Sequence, residues 1–183
     1  MLENVLLLSC RSPFLDDSKV YPPLANLYLQ AAIQKKHPEV KVTVRDEYDL
    51  EDGSWTKGFD GIGVSIMTPQ RSEAKKLLDL IRRNSNATVF AGGPHVRYYF
   101  KEAEKDSWDH LVTHDGFRAI NQIVEQNASR ILTDIVSMVE YPSVVVKPER
   151  LRNAEFLREY NYRLNGVDST TMLTAQGCSE WCA

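Results

Sequence analysis

The sequence predicts an α/β domain built on a doubly wound, five-stranded parallel sheet. Short segments that are apolar throughout, or that alternate between apolar and polar residues, are typical of strands. Up to residue 127 they alternate along the chain with longer segments of helical periodicity. The 183 residues are 43% apolar and 26% charged, which is typical of a globular chain with a hydrophobic core. Because a crossover helix is the short way to join two parallel strands, this alternation favours a parallel sheet.

Five segments have the pattern of strands. Asn4–Ser9 (NVLLLS) is a continuous apolar run, which is typical of a strand buried on both faces. Lys41–Asp46 (KVTVRD) alternates between apolar and polar residues and predicts an edge strand. Gly61–Ile66 (GIGVSI) carries glycines that allow close packing of a neighbouring backbone. The last two predicted strands are Ala87–Ala91 and Asp109–Thr113.

Helical segments lie between these strands. The first helix is expected at about Pro23–His37, because a proline favours the first turn and Pro38 ends the helix. A second helix is expected at about Pro69–Asn84, a short one at about Arg97–Asp106 and a third long one at about Gly116–Asn127. The order of strands expected for such a chain is 2-1-3-4-5, the flavodoxin-like or Rossmann-like arrangement.

The pattern changes after the fifth predicted strand and its helix. We therefore divide the chain into an α/β domain at 1–127, a linker that contains a helix at 128–169, and the start of a second domain at 170–183. The linker helix is expected within Glu149–Leu164, which has an amphipathic pattern. Thr170–Thr174 (TTMLT) predicts the first strand of the second domain.

Composition excludes several classes of protein. The net charge of −3 and the scattered lysines and arginines predict no binding to nucleic acid. No apolar run approaches the roughly 20 residues that span a bilayer, and no signal peptide is recognisable, so a cytoplasmic protein without membrane partners is expected. The three cysteines, Cys10, Cys178 and Cys182, do not indicate a disulfide framework in such a protein.

Ligands of open parallel sheets bind at the carboxyl ends of the strands, where the strand order reverses. For the order 2-1-3-4-5 this place lies between the loops Cys10–Ser18 and Met67–Gln70, and the loops Gly92–Val96 and His114–Gly116 extend the same rim. These loops carry small residues, hydroxyl groups and glycines that leave backbone bare. The rim is therefore expected to suit a flat, bulky cofactor with amide side chains.

Each feature of this rim also has an ordinary structural interpretation. Gly92–Pro94 has the pattern of a simple turn. His95 and His114 are of a kind more often found as surface residues than as ligands, and Cys10 fits a small apolar filler.

A sharper motif lies near the end of the sequence. Gly177–Cys182 (GCSEWC) places two thiolates, those of Cys178 and Cys182, four positions apart directly after a predicted strand. A loop with this spacing is able to wrap one face of an iron–sulfur cube, since thiolates are the usual ligands of such clusters. A zinc site or chance spacing explains two cysteines as well.

This ending resembles the radical S-adenosylmethionine family, whose motif is C-x3-C-x2-C after the first strand of a catalytic barrel. Cys178 and Cys182 match the first two cluster ligands of that motif. The third ligand of the motif would fall at position 185, whereas the sequence has 183 residues. The fragment is therefore expected to be truncated within this motif.

The preceding part resembles the cobalamin-binding domain found upstream of that barrel. Tyr21–Leu29 is similar to the segment after its first strand, Gly61–Ser65 to its third strand, and Phe90–His95 to the turn after its fourth strand. Asp109–Gly116 stands where the family usually has a Gly-Glu-Gly turn, and here that turn contains His-Asp. The family's D-x-H-x-x-G motif is absent, so the resemblance offers no histidine as a lower cobalt ligand.

The resemblance implies a cobalamin-binding domain of a radical S-adenosylmethionine enzyme, methyltransferase-like or of other radical chemistry, that is not catalytic alone. Cobalamin is its expected cofactor, with a 4Fe-4S cluster and S-adenosylmethionine present only in a complete protein. The expected partners are the corrinoid and the barrel domain. The residues expected at the cofactor, from loop position and the family pattern, are Ser12, Tyr21, Ser65, Met67, Thr68, Gly92, Gly93 and His95.

Two other classes of function stay open. One is a stand-alone flavodoxin-like binding or signalling domain that has lost cobalamin binding, in which the two C-terminal cysteines have no function. The other is a redox or metal protein that uses Cys178 and Cys182.

Overall fold

The structure is a computed structural model that describes residues 1–114, 116–132, 148, 150 and 153–171. Six strands form its main sheet. They are β1 Asn4–Ser9, β2 Lys41–Arg45, β3 Gly61–Ser65, β4 Thr88–Gly92, β5 His110–Val112 and β6 Ile131–Leu132.

The strands lie in the order β2-β1-β3-β4-β5-β6, and every adjacent pair is parallel. The first five have the order 2-1-3-4-5, which confirms the prediction, and β2 lies at an edge as expected. The sixth strand, Ile131–Leu132, was not predicted. It extends the sheet beyond residue 127, where the sequence analysis ended the α/β domain.

Helices cover both faces of the sheet. They are α1 Leu24–Lys36, α2 Arg71–Asn84, α3 Pro94–Tyr98, α4 Phe100–Ala103 and α5 Gly116–Val124. Apolar residues of α1 and α5 form one core cluster with the sheet, and those of α2, α3 and α4 form another on the opposite face. The doubly wound arrangement is thereby confirmed. No helix in the described ranges has the length and apolar character needed to cross a membrane.

The continuous apolar run of β1 is explained by its central position between these two layers. Leu6 and Leu8 belong to the cluster on the α2 face, whereas Val5 and Leu7 belong to the cluster on the α1 and α5 face. All four side chains are at most 1% exposed. Successive side chains of a strand point to opposite faces, so a strand covered on both sides needs apolar residues at every position.

One glycine of β3 is required by packing. A Cβ atom at Gly63 would lie 2.2 Å from Cε2 of the Phe90 ring, which stands beside it on β4. Gly63 therefore provides the space that the buried Phe90 ring fills.

The single short helix predicted at Arg97–Asp106 is wrong in detail. Two helices, α3 and α4, occupy Pro94–Tyr98 and Phe100–Ala103. The first begins directly after β4 because Gly93 turns the chain with φ +100° and Pro94 occupies the first turn. Tyr99, with φ −120° and ψ 39°, interrupts the helical backbone between them.

A short helix and a hairpin follow in the C-terminal part. Helix α6 is Ala154–Arg158, and β7 Arg163–Leu164 pairs antiparallel with β8 Val167–Asp168. The predicted linker helix is thus five residues long. Thr170 and Thr171 are not in a strand. The rest of the predicted strand, together with Cys178 and Cys182, lies outside the described residues.

Candidate functional site

The carboxyl edge of the sheet carries a row of small residues. Ser9 at the end of β1 is in register with Ser65 at the end of β3, and Ser65 is in register with Gly92 at the end of β4. Neighbouring strands lie about 4.8 Å apart, so the row spans about 10 Å. The Oγ of Ser9 accepts a hydrogen bond of 3.0 Å from the buried Asn26 side chain of α1, which places this residue on the α1 side of the sheet. We call Ser9, Ser65 and Gly92 the small-residue row.

Two loops at the point where the strand order reverses are joined by a glutamine. The Gln70 Nε2 donates to the carbonyl of Cys10 at 2.6 Å, and its Oε1 accepts from the backbone N–H of Met67 at 2.8 Å. Gln70 is 9% exposed. It therefore holds the loops after β1 and β3 in one arrangement. The sequence analysis did not single it out, because its partner Cys10 lies 60 positions away.

The two adjacent glycines after β4 have different roles. A Cβ atom at Gly92 would make ordinary contacts, the nearest at 3.5 Å from Val112 Cβ. A Cβ atom at Gly93 would lie 2.7 Å from the carbonyl oxygen of Ile66, and Gly93 also has φ +100°. The expectation that both glycines leave backbone bare for a ligand therefore needs correction at Gly93, where the Ile66 backbone already fills the space.

His95 is buried rather than displayed on the rim. Its side chain is 4% exposed and stacks on Tyr99, with ring centroids 5.6 Å apart. Its backbone N–H donates to the Ile66 carbonyl at 3.0 Å. The Nδ1 atom is buried and has no hydrogen-bond partner in the described structure. A buried polar atom without a partner is rare and destabilising, which marks His95 as unusual.

Large apolar side chains are exposed along the same edge. Met67, 54% exposed, follows β3 next to the partly buried Thr68, and Phe14, 79% exposed, follows β1. Tyr98 and Tyr99 follow β4 and are 72% and 50% exposed. Exposed side chains of this kind are candidates for contact with a ligand or another domain.

Ser12 lies in a separate cleft at the carboxyl ends of β1 and β2. The cleft has a volume of about 720 Å³ and is lined by Ser12, Arg11, Arg45, Tyr48 and Trp55, with four acidic residues around them. This volume is within the usual range of small-molecule pockets. The structure therefore places Ser12 beside the small-residue row rather than in it.

Tyr48 lines this cleft, and the sequence analysis did not single it out. Its hydroxyl accepts from the Arg11 N–H at 2.9 Å and donates to Glu73 Oε1 at 3.2 Å, while the Arg11 guanidinium lies 4.6 Å above the ring. Burial raises the pKa of the Tyr48 hydroxyl, so it stays protonated at neutral pH. Tyr48 is therefore a hydrogen-bonding wall residue and not a base.

Tyr21 lies between β1 and α1 and contacts the C-terminal part of the chain. Its ring packs on the ring of Tyr162 in the C-terminal part, with centroids 4.8 Å apart. Of the residues predicted for the cofactor, the structure therefore brings Ser65 and Gly92 together in the row, with Met67 and Thr68 in the loop that follows. Ser12 and Tyr21 belong to neighbouring parts of the same rim.

The described residues offer no metal site. They contain no group of three or more His, Cys, Asp or Glu side chains placed to hold a metal ion. Burial, with a smaller contribution from the Glu73 charge, raises the pKa of the Cys10 thiol to about 12. Cys10 is thus a protonated, buried thiol, as its interpretation as an apolar filler requires.

The fold of this chain is similar to that of solved structures. No protein-family model matches the sequence, and a search of curated proteins gives no significant match. The radical S-adenosylmethionine methyltransferase TsrM from Kitasatospora setae, in a structure with cobalamin and a [4Fe-4S] cluster bound, is similar with a TM-score of 0.56 and 19% identity. The match covers 69% of this chain and 25% of that one.

A second structure of TsrM, with tryptophan substrate and a S-adenosylmethionine analogue bound, gives a TM-score of 0.54 and 21% identity over 67% of this chain. Our chain thus spans about a quarter of the length of the protein it matches. At this identity the likeness establishes the fold: a Rossmann-like α/β domain that resembles one region of a cobalamin-dependent radical S-adenosylmethionine methyltransferase.

Proposed function

We propose that this chain is a cobalamin-binding domain and that its carboxyl edge receives the corrinoid. The observation that carries the proposal is the small-residue row, in which three successive strands end with Ser9, Ser65 and Gly92 in register. Larger side chains at these positions would fill the shallow surface that a flat macrocycle needs. The likeness to a region of a cobalamin-containing methyltransferase supports the same conclusion.

The residues present fit such a group through shape and hydrogen bonds. Ser65 offers a hydroxyl, Gly92 adds no side chain, and Met67 is exposed in the loop after β3. The unpaired Nδ1 of His95 is a further polar atom that lacks a partner at this end of the sheet. Since His95 is 4% exposed and the D-x-H-x-x-G motif is absent, these residues would hold the corrinoid through shape and hydrogen bonds.

In a larger protein this domain would supply the corrinoid to a catalytic barrel. Bound cobalamin carries a methyl group in such enzymes, and the protein contributes binding and orientation. Cys178 and Cys182 would be two ligands of the 4Fe-4S cluster at which S-adenosylmethionine binds. The exposed side chains of Met67, Phe14 and Tyr98 would be covered by the corrinoid or by that barrel.

Titration with hydroxocobalamin tests this proposal. The purified chain is expected to shift the visible spectrum of the corrinoid and to retain it through gel filtration. Ser65→Leu would fill the small-residue row and is expected to weaken binding at least tenfold. Ser107→Leu is the matched control, because Ser107 is an exposed serine before β5, away from the carboxyl edge.

Two results would contradict the proposal. One is the absence of any binding by the folded wild-type chain, and the other is equal binding by the Ser65→Leu and Ser107→Leu variants. The first result would favour the second candidate function, a flavodoxin-like domain that does not hold cobalamin. The link that Gln70 makes between the loops after β1 and β3 favours that alternative, because it closes part of the crevice where ligands of this fold bind.

A further inference from the structure

The C-terminal segment Asn153–Tyr162, which we call the clasp, lies against the α/β domain. It consists of Asn153, which caps α6, of α6 itself and of the four residues that follow it. Phe156 and Tyr160 are 6% and 9% exposed, and both pack on the fully buried Leu27 of α1. The clasp therefore shares a core cluster with the domain, and is more than a connecting segment.

A group of charges joins the clasp to the loop after β1 and to the end of β2. The Lys19 Nζ lies 3.2 Å from an Asp46 carboxylate oxygen, 3.6 Å from Glu159 and 3.8 Å from Glu47. The Tyr160 hydroxyl donates to Asp46 Oδ2 at 2.9 Å. Burial by itself would lower the pKa of Lys19, but the surrounding carboxylates outweigh it and the pKa is raised. Lys19 is therefore charged. The Asp46 carboxylate, in a residue that is 8% exposed, is paired with the Lys19 ammonium and with the Tyr160 hydroxyl.

Direct hydrogen bonds fix the second half of the same loop. The Asn161 N–H donates to the Lys19 carbonyl at 2.7 Å, and the Asn161 side chain donates to Asp17 Oδ2 at 2.8 Å. The Tyr162 ring packs on Tyr21, where the loop ends. Two consecutive clasp residues, Asn161 and Tyr162, thus hold the chain from Asp17 to Tyr21.

The first half of the loop has few other supports. Arg11 is anchored on Tyr48, but the hydrogen bonds of residues 12–16 within the described structure run only from Phe14 and Leu15 back to Ser12. Phe14 is 79% exposed. The loop is tied at Arg11 and at residues 17–21. When the clasp leaves, the second tie keeps, among the described residues, only the ion pairs of Lys19 with Asp46 and Glu47.

We infer that the clasp orders the loop between β1 and α1, so that docking of the clasp and binding of a ligand at the carboxyl edge are coupled. The ligand part rests on the proposed function. The loop carries Ser12 and Asp17, which line the neighbouring cleft. Glu47, the ion-pair partner of Lys19 in this loop, lines the same cleft. Coupling of this kind is reciprocal. If docking of the clasp raises the affinity for the ligand by some factor, binding of the ligand raises the docking equilibrium constant of the clasp by the same factor.

Amide hydrogen exchange of the full chain tests the structural part. The double variant Tyr160→Phe/Asn161→Ala removes the two side-chain hydrogen bonds to Asp46 and Asp17 and keeps the apolar ring. Exchange of residues 159–162 and of residues 12–20 is expected to rise together, at least tenfold, while β1 is unchanged. Arg163→Ala, which removes only the exposed ion pair with Asp168, is the control and is expected to leave both segments unchanged.

The inference is overturned if residues 159–162 exchange faster in the double variant while residues 12–20 keep their wild-type rate. A milder variant, Asn161→Ala, allows the same comparison if the double variant does not fold. Hydroxocobalamin titration then tests the coupling, since the double variant is expected to bind severalfold more weakly than the Arg163→Ala control. The coupling would be refuted if the double variant and the Arg163→Ala control bound hydroxocobalamin equally well while residues 12–20 exchanged faster in the double variant. Failure of the wild-type chain to bind would instead refute the proposed function, and the exchange result would still decide whether the clasp orders the loop.

Discussion

The two edges of the sheet are built in different ways. At the amino edge, the Asp60 carboxylate accepts hydrogen bonds of 2.9 Å from the backbone N–H groups of Glu3 and Asn4, and the Leu2 N–H donates to Val124 at 2.8 Å. At the carboxyl edge, the Nδ1 of His95 has no partner in the described structure, and Met67 is 54% exposed. The amino edge ties the start of the chain to the residue before β3 and to the end of α5, although the buried Asn4 Oδ1 also has no partner in the described structure. The carboxyl edge instead leaves loop residues after β3 and β4 that a ligand or another domain is able to contact.

This difference separates residues that stabilise the fold from residues that are available for binding. Stability and function often make opposite demands, and unfavourable local features persist where function needs them. Substitutions at the amino edge are expected to lower stability. Substitutions at the carboxyl edge are expected to change binding, with Gly93 as the exception.

Gly93→Ala should have the largest effect on the free energy of unfolding. Gly93 lies at the carboxyl edge, so it is the exception to the division between a stabilising amino edge and a binding carboxyl edge. A Cβ atom there would approach the Ile66 backbone to 2.7 Å at a positive φ. We expect a loss of about 3 kcal/mol in the free energy of unfolding, measured by urea denaturation. Gly92→Ala is the matched control, because its Cβ would meet no atom closer than 3.5 Å. Similar stabilities of the two variants would show that Gly93 is not held as described.

Asp60→Ala tests the amino edge. Loss of the carboxylate leaves two backbone N–H groups at the start of β1 without their acceptor, so we expect a loss of about 1–2 kcal/mol. The control is Asp52→Ala, whose carboxylate accepts hydrogen bonds only from Ser54 in its own turn. Thermal denaturation compares the two. An equal fall in melting temperature would argue against a special role of Asp60.

His95→Phe tests the carboxyl edge, where the substitution is expected to raise stability. Phenylalanine keeps the stacking on Tyr99 and removes the buried Nδ1 that lacks a partner, so the free energy of unfolding should rise by about 1 kcal/mol. His110→Phe serves as the control and should lower it, because the His110 Nδ1 contacts the Ser129 carbonyl at 2.9 Å. A destabilised His95→Phe variant would mean that the imidazole is satisfied after all.

The smallest effect concerns acid sensitivity at the amino edge. Hydrogen bonds from Lys36 and His37 lower the pKa of Glu125. A carboxyl with a lowered folded-state pKa stabilises the protein above its unfolded pKa, and this contribution disappears as the pH falls through the folded pKa. Glu125→Gln should therefore cost less than about 1 kcal/mol at neutral pH and nothing in strong acid. Stability measured between pH 7 and pH 2 checks this, and a constant difference across that range would contradict it.

The sequence predicted the sheet well because its signals are local. The apolar run of β1 is read without knowledge of its neighbours, and its bounds, Asn4–Ser9, are those of the structure. The two residues of β6 are too few for any periodicity. The break between α3 and α4 depends on the backbone of Tyr99, which its residue type does not dictate.

The site was harder to predict because it depends on distant contacts. Ser65 and Gly92 were singled out from their loops, but Ser9 was not, since only the register of β1 and β3 brings it into the row. Gln70 acts across 60 positions of sequence, and the backbone N–H of His95 is held by the carbonyl of Ile66, which follows β3. The expected roles of Cys178 and Cys182 stay predictions.

The fit of the Phe90 ring over Gly63 has a consequence for how related chains diverge. With only 2.2 Å between the ring and a Cβ at position 63, a larger residue does not fit at 63 while phenylalanine stands at 90. A lineage that acquires alanine or valine at 63 should already carry a smaller side chain at 90. Sequences that share this sheet are therefore expected to show the two positions exchanging volume, and that covariation would identify distant members even where the loops have lost all similarity.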